Sequence, residues 1–135
     1  MNAVNTKVGI VAGAFDLLHA GHVLYLKEAR DNCDHLVVAL HIDPSIERPK
    51  NKPIQSLIER EIQLNGCRYV DEIIKYHTEF DLYNMLIIID PDIRFLGDDY
   101  KGKIFTGKHF NIPIHYVSRD HGWSTTELRE RIKNA

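Results

Sequence analysis

The sequence has few cysteines, no long apolar run and no excess of either charge, and each shortage excludes a class of protein. Cys33 and Cys67 are the only cysteines among 135 residues, too few for a disulfide framework, so we expect reduced thiols. The longest apolar run, Met85–Ile89, is far shorter than the roughly 20 residues that cross a membrane. The 17 basic and 19 acidic side chains give a net charge of −2, which excludes nucleic-acid binding by bulk attraction.

The remaining composition is typical of a globular domain. Hydrophobic residues make up 44% and charged residues 27% of the chain, and no linker or low-complexity stretch interrupts it. We therefore predict one domain over residues 1–135, large enough to bury a core without disulfides or metals. Asp16 interrupts the short apolar stretch after Lys7, so a signal peptide is not expected. These features predict a cytoplasmic protein with no membrane partner.

Apolar strands and amphipathic helices alternate along the chain. Strands are predicted over residues 8–12, 36–40, 69–74, 93–96 and 112–117. Helices are predicted over 21–32, after a capping box at Ser56, from Thr78 to Ile89 and after a second capping box at Ser124, with a short helix between the last two strands. Alternation implies parallel pairing, and near-continuous apolar strands imply a sheet covered on both faces. The prediction is an α/β, Rossmann-like fold with a five-stranded parallel sheet and helices on both faces.

A histidine motif follows the first predicted strand, where ligands bind in sheets of this kind. His19 and His22 are separated by Ala20 and Gly21 at the start of the first helix. Gly21 lets backbone approach a ligand closely, and a helix N-terminus favours phosphate. Two imidazoles there can donate hydrogen bonds to phosphate oxygens and stabilise charge during a displacement. The competing interpretation is that one histidine caps the helix and the other packs.

Polar residues follow the fourth and fifth predicted strands at the same sheet edge. Ser124–Thr126 offer hydroxyls at a second helix N-terminus, and Arg119 can clamp phosphate oxygens. Asp98 and Asp99 could receive ribose hydroxyls or help a Mg²⁺ ion. The alternatives are a simple capping box with a surface arginine, and a polar turn. We expect Asp16 to brace the histidine loop through backbone hydrogen bonds rather than to react.

The motifs resemble the cytidylyltransferase-like nucleotidyltransferase family, whose signature is Gly-x-Phe-Asp followed by His-x-Gly-His. Residues 68–72 and 97–100 are similar to segments of its glycerol-3-phosphate cytidylyltransferase branch, and residues 119–126 are similar to the family's Arg-x-x-Gly-Ile-Ser-Thr-Thr motif. The resemblance extends from about residue 7 to 132. It implies that an acceptor phosphate attacks the α-phosphorus of a nucleoside triphosphate and that pyrophosphate leaves.

The resemblance also implies roles for individual residues. The catalytic group is His19, His22, Arg119 and Thr125. The nucleotide-binding group is Ala14, Phe15, His19, Gly21, His22, Asp98, Arg119, Gly122, Ser124, Thr125 and Thr126. The phosphate- and acceptor-binding group is Lys50, Lys52, Arg60 and Arg68. In the family an arginine like Arg68 reaches the site across a dimer interface, which implies a homodimer.

The resemblance predicts an enzyme that transfers CMP from CTP to glycerol 3-phosphate or a related polyol or sugar phosphate. Mg²⁺ is expected as the counter-ion of the triphosphate, and no metal-ligating cluster is predicted from the spacing of the histidines. Several residues near the ligand depart from the family pattern, namely Ala14, Tyr100, Asp120 and Trp123. These departures affect the predicted identity of the acceptor more than the predicted type of reaction.

Two alternatives stay open. The first is an adenylyltransferase that uses ATP on a sugar phosphate or on flavin, since such enzymes share both motifs. The second is a nucleotide-binding module without turnover. The intact histidine pair and Ser124–Thr126 argue against the module, because a degenerate copy would be expected to lose one of them.

Overall fold

The computed structural model describes residues 6–135, in which five strands alternate with four helices. The strands are β1 (Val8–Gly13), β2 (His35–His41), β3 (Glu72–Tyr76), β4 (Ile93–Gly97) and β5 (Ile114–Val117). The helices are α1 (Ala20–Asp31), α2 (Leu57–Asn65), α3 (Glu79–Ile89) and α4 (Thr125–Lys133). The predicted alternation is confirmed.

The five strands form one parallel sheet in the order β3-β2-β1-β4-β5. The chain builds the sheet outward from β1 to β3 and then returns to the other side of β1 with β4. This reversal opens a crevice at the carboxyl ends of β1 and β4, which is where ligands bind in such sheets. The predicted Rossmann-like five-stranded sheet is confirmed.

Helices cover both faces of the sheet, as predicted. On one face, Leu26 and Ala29 of α1 and Leu64 of α2 belong to one apolar cluster. The strands contribute Val38 of β2 and Phe95 of β4 to it. On the other face α3 packs Leu82 and Leu86 against Ile10 and Val37. Because alternate residues of each strand point to opposite faces, Val37 and Val38 belong to different halves of the core.

Three of the differences from the predicted boundaries have a clear local cause. β3 begins at Glu72, because residues 67–70 form a turn in which the Val70 amide donates to the Cys67 carbonyl at 3.1 Å. β5 begins at Ile114, after Pro113, which lacks an amide hydrogen. The predicted short helix is only a 3-10 turn at Asp98–Tyr100, since Gly102 follows with a left-handed φ of +76°.

The two predicted capping boxes have different outcomes. At α2 the Ser56 hydroxyl accepts from the Glu59 amide and the Glu59 carboxylate accepts from the Ser56 amide, as predicted. At α4 the Ser124 hydroxyl accepts from the Glu127 amide, but the Glu127 carboxylate pairs with Arg131 at 3.4 Å. Only half of the second capping box therefore forms.

Cys33 and Cys67 are both free. Across residues 6–135, no helix combines the length and apolar character that crossing a membrane requires.

Candidate active site

The two histidines of the motif cap α1 reciprocally. His19 Nδ1 accepts from the Gly21 amide at 3.0 Å, and His22 Nδ1 accepts from the His19 amide at 3.2 Å. Their rings stack with centroids 3.9 Å apart. Because each Nδ1 accepts a hydrogen, the proton of each neutral ring lies on Nε2. Capping and phosphate binding are thus compatible, since the cap leaves an N–H donor on each ring.

Both imidazoles are held in the neutral form. Burial above all, together with the neighbouring His19, lowers the pKa of His22 to about 3. Burial also lowers the pKa of His19, and His121 and Arg119 act in the same direction. At neutral pH the pair therefore offers two neutral N–H donors.

The histidine pair faces the start of α4. His19 Nε2 lies 3.2 Å from the Thr125 hydroxyl oxygen, so the N-termini of α1 and α4 meet. Gly21 makes this approach possible, because a Cβ there would lie 2.9 Å from the carbonyl oxygen of Trp123. Helix N-termini favour anions, and two of them converge here.

A cavity of about 320 Å³, the histidine cavity, opens beside this contact. Many of the predicted nucleotide-binding residues line it: Ala14, Phe15, His19, Gly21, His22, Arg119, Ser124 and Thr125. Asp98 and Gly122 are not among the lining residues, whereas Asp99 is. The Asp99 carboxylate pairs with Arg119 at 3.3 Å, so a bound phosphate would compete with Asp99 for this guanidinium.

A second cavity of about 820 Å³, the broad cavity, adjoins the first and shares Ala14, Tyr25, Tyr100 and Thr125 with it. The loop after β2, the ends of β2 and β3, the start of α3 and the segment after β4 form its walls. Thr126 and Lys50 line it, as do four residues that the sequence did not single out: His41, Arg94, Tyr76 and Arg129. The two cavities together form one cleft along the carboxyl edge of the sheet.

Three of the predicted phosphate-binding side chains lie elsewhere. Arg60 is 2% exposed and donates to the carbonyl oxygens of Ala14, His41, Ile42 and Gln55, so its guanidinium joins three segments of backbone. Lys52 pairs with Asp43 at 2.9 Å and is not a lining residue. Arg68 is exposed beside the amino end of β3, with its guanidinium over the Tyr69 ring at 5.1 Å. The structure therefore brings only Lys50 of this group to the cleft.

Asp16 connects the histidine loop to two other parts of the cleft. Its buried carboxylate accepts from the amides of Ile54 and Gln55 at 2.8 and 2.9 Å, and from Arg129 of α4 at 3.1 Å. Burial opposes ionisation of Asp16, but these hydrogen bonds outweigh it and lower the pKa. Asp16 is thus a brace, as expected, and it also positions α4.

The residues that sequence reasoning missed lie at the ends of β2 and β3 and in the loops beside them. His41 is the last residue of β2, Tyr76 is the last residue of β3, and Glu79 begins α3. Their position after two parallel strands was a usable signal, because ligands bind at the carboxyl edge. No short motif marks them, since His41 precedes Tyr76 and Glu79 by more than 30 residues of chain.

Comparison with known proteins agrees with this arrangement. The model of the cytidylyltransferase-like family matches residues 10–131. The bifunctional protein HldE of Campylobacter concisus is 40% identical over 131 residues, which cover 96% of this chain and 28% of that protein. HldE of Helicobacter hepaticus is 35% identical over 132 residues, 96% of this chain and 27% of that protein. The chain thus spans just over a quarter of the length of these relatives.

Solved structures share the fold. A lipopolysaccharide core biosynthesis protein from Thermoplasma volcanium superposes with a TM-score of 0.67 at 29% identity, covering 84% of this chain and 96% of that one. A pantoate-beta-alanine ligase from Francisella tularensis gives a TM-score of 0.61 at 19% identity, covering 95% of this chain and 69% of that one. The second likeness concerns the fold alone.

Proposed function

The chain belongs to the cytidylyltransferase-like family, and from that premise we propose that it transfers a nucleoside monophosphate to a sugar phosphate and releases pyrophosphate. The observation that carries this proposal is the contact between His19 and Thr125, which joins two helix N-termini over one continuous cleft. Such a site stabilises the oxygens of a triphosphate while leaving room for an acceptor beside them.

The reaction needs no nucleophile from the protein. An oxygen of the acceptor phosphate forms a bond to the α-phosphorus, the bond from that phosphorus to the β-bridging oxygen breaks, and pyrophosphate leaves with the electron pair. The acceptor oxygen is unprotonated at neutral pH, so no general base is required. The Nε2–H groups of His19 and His22 would stabilise the charge on the phosphate oxygens, and Arg119 with Ser124–Thr126 would hold the outer phosphates.

In this proposal, Mg²⁺ reaches the site bound to the triphosphate. Among the described residues, Asp99 is the one carboxylate that lines the histidine cavity, and it pairs with Arg119. This donor set does not resemble a resident metal site, and the ion would arrive as the counter-ion of the triphosphate.

Similarity to the HldE proteins favours ATP as the donor and a heptose phosphate as the acceptor. The neighbour named for lipopolysaccharide core biosynthesis supports a sugar acceptor, because saccharide assembly consumes nucleotide-activated sugars. The size of the broad cavity supports the same acceptor class, since about 820 Å³ is more than a three-carbon phosphate occupies.

Transfer of CMP from CTP to glycerol 3-phosphate is the second candidate. The observation in its favour is the pair of segments 68–72 and 97–100, which resemble that branch of the family. Arg68 lies away from the cleft, however, so the first of these segments lends the candidate little support from within one chain. The homodimer that would bring it closer stays a prediction, as does a cytoplasmic location.

The test is the initial rate of pyrophosphate release with ATP or CTP and Mg²⁺, against heptose 1-phosphate and glycerol 3-phosphate. Release with ATP and the heptose phosphate is the expected result. Release only with CTP and glycerol 3-phosphate would establish the second candidate. Silence with both acceptors, when binding of triphosphate is intact, would contradict both and favour a binding module.

A further inference from the structure

The floor of the broad cavity is built where β2 and β3 end side by side. His41 and Tyr76 are paired in register across the two strands, and their rings stack with centroids 4.5 Å apart. They are 2% and 4% exposed, so the protein surrounds them almost completely, yet both line the cavity. A buried aromatic floor of this kind gives a ligand a defined surface to rest on.

Two polar atoms on this floor are available to a ligand. His41 Nε2 donates to the carbonyl of His77 at 3.1 Å, which leaves Nδ1 as an acceptor. The Tyr76 hydroxyl makes no hydrogen bond within residues 6–135, although its residue is nearly buried. Its oxygen is accessible from the cavity, where a hydroxyl without a protein partner can both donate to and accept from a ligand.

A fixed carboxylate lies next to the floor. Glu79 accepts from the Thr106 hydroxyl at 2.7 Å and pairs with Arg48 at 3.3 Å. Ligand atoms of His41, Glu47 and Glu79 lie within 4.8 Å of one another. Since Thr106 and Arg48 already occupy the two oxygens of Glu79, this group is better suited to accepting hydrogen bonds than to enclosing a cation.

The cleft is therefore chemically different at its two ends. Thr125 lies at the end near the histidines, beside the groups proposed to hold the triphosphate, whereas the other end presents His41, Tyr76 and the carboxylate of Glu79, whose charge Arg48 balances. Acceptors and donors that alternate on an aromatic floor suit hydroxyl groups, because each hydroxyl both donates and accepts.

From this arrangement we propose that His41, Tyr76 and Glu79 form a hydroxyl-binding subsite that selects a sugar phosphate over a three-carbon acceptor. The inference rests on the proposed function and names the part of the acceptor that the far end of the cavity recognises. A sugar phosphate with its phosphate beside Thr125 places ring hydroxyls against Tyr76 and Glu79. Glycerol 3-phosphate in the same position leaves these groups without a partner.

The decisive variant is Tyr76→Phe, which removes one hydroxyl and keeps the ring stacked on His41. The KM for heptose 1-phosphate is expected to rise about 5- to 30-fold, the loss that corresponds to one good hydrogen bond. The kcat, the KM for the triphosphate and the KM for glycerol 3-phosphate should change less than about twofold, because their contacts are unchanged. Glu79→Gln should likewise raise the KM for heptose 1-phosphate relative to the KM for glycerol 3-phosphate.

The matched control is Tyr83→Phe, which removes a tyrosine hydroxyl that lies 3.5 Å from His109 and outside the cavity. Its kinetic constants should equal those of the unmodified protein. If Tyr76→Phe leaves the KM for heptose 1-phosphate unchanged, or raises it equally for both acceptors, the subsite is refuted.

Direct binding separates this inference from the proposed function. Calorimetry of heptose 1-phosphate without nucleotide should give a Kd that rises for Tyr76→Phe and not for Tyr83→Phe. If binding depends on Tyr76 but no triphosphate yields pyrophosphate, the subsite stands and the proposed reaction falls. If turnover proceeds with heptose 1-phosphate and neither Kd nor KM responds to Tyr76→Phe, the reaction stands and the subsite falls.

Discussion

The two ends of the cleft are assembled in opposite ways. At the histidine cavity the contacts that orient the two imidazoles join neighbours in the chain, since His19 bonds to the Gly21 amide and His22 to the His19 amide, and the contact of His19 with Thr125 is the long-range one. At the far end of the broad cavity, Glu79 meets residues 27 and 31 positions away. The comparison shows that the orientation of the two histidines is encoded in a short motif, whereas the proposed acceptor subsite depends on the arrangement of the strands.

The largest effect is expected from His19→Asn. Asparagine is a good N-cap and still accepts from the Gly21 amide, but it lacks the Nε2–H that reaches Thr125. The kcat should fall about 10²- to 10³-fold, as when one transition-state donor is removed, while triphosphate binding changes little. Steady-state kinetics and equilibrium binding measure the two effects.

His109→Asn is the control for that variant, because His109 is exposed and lines neither cavity. Equal kcat values for His19→Asn and His109→Asn would show that His19 has only a structural role. The proposed division of the cleft into a catalytic end and an acceptor-binding end would then fail.

Arg60→Lys tests whether the buried arginine binds substrate or only holds the surrounding backbone segments together. Lysine cannot reach the four carbonyl groups that the guanidinium serves. The free energy of unfolding should fall by about 2–4 kcal/mol, while the KM for either substrate changes little in the folded protein. Urea unfolding and kinetics distinguish the outcomes, with the exposed Arg131→Lys as control. A higher KM for either substrate at unchanged stability would indicate that Arg60 binds phosphate.

The pH dependence of stability reports on the neutral histidine pair. The pKa of His22 is about 3 in the folded protein and near 6.5 in the unfolded chain, so the unfolded chain binds more protons between these values. The free energy of unfolding should therefore fall as the pH drops from 6.5 toward 3, by at most about 1.4 kcal/mol per pH unit from this group.

His22→Gln should flatten that slope. Glutamine at the third helical position can still accept from the His19 amide, but it does not titrate. Urea unfolding at several pH values gives both slopes, and identical slopes would assign the acid sensitivity to other groups.

The smallest effect is expected from Arg68→Ala. The side chain is exposed, contacts Tyr69 and lies at the amino edge of the sheet. Stability should change by less than about 0.5 kcal/mol. Kinetic constants should be unchanged at protein concentrations where the chain is a monomer by sedimentation. A large rise in KM under those conditions would place Arg68 at the cleft after all.

The fold was predictable because apolar residues dominate the strands, β1 and β2 above all, and helices alternate with most of them. The histidine motif and Ser124–Thr126 were predictable because each is a short run of residues at the start of a helix. Arg60 donates to backbone carbonyl oxygens and does not line the cleft, a placement that a sequence does not reveal because an arginine can meet phosphate or carbonyl oxygens equally well. Tyr76 and Glu79 gave no local signal, and only the pairing of β2 with β3 brings them to His41.

The last helix illustrates one further consequence of how the cleft is closed. No residue of α4 is buried, and the helix is tied to the rest of the site by polar contacts of Thr125 and Arg129. Segments held in this way open locally at a lower free energy than the strands of a core. If the proposed reaction takes place, local opening of α4 would uncover the bound product by breaking polar contacts while the buried apolar side chains of the sheet keep their packing.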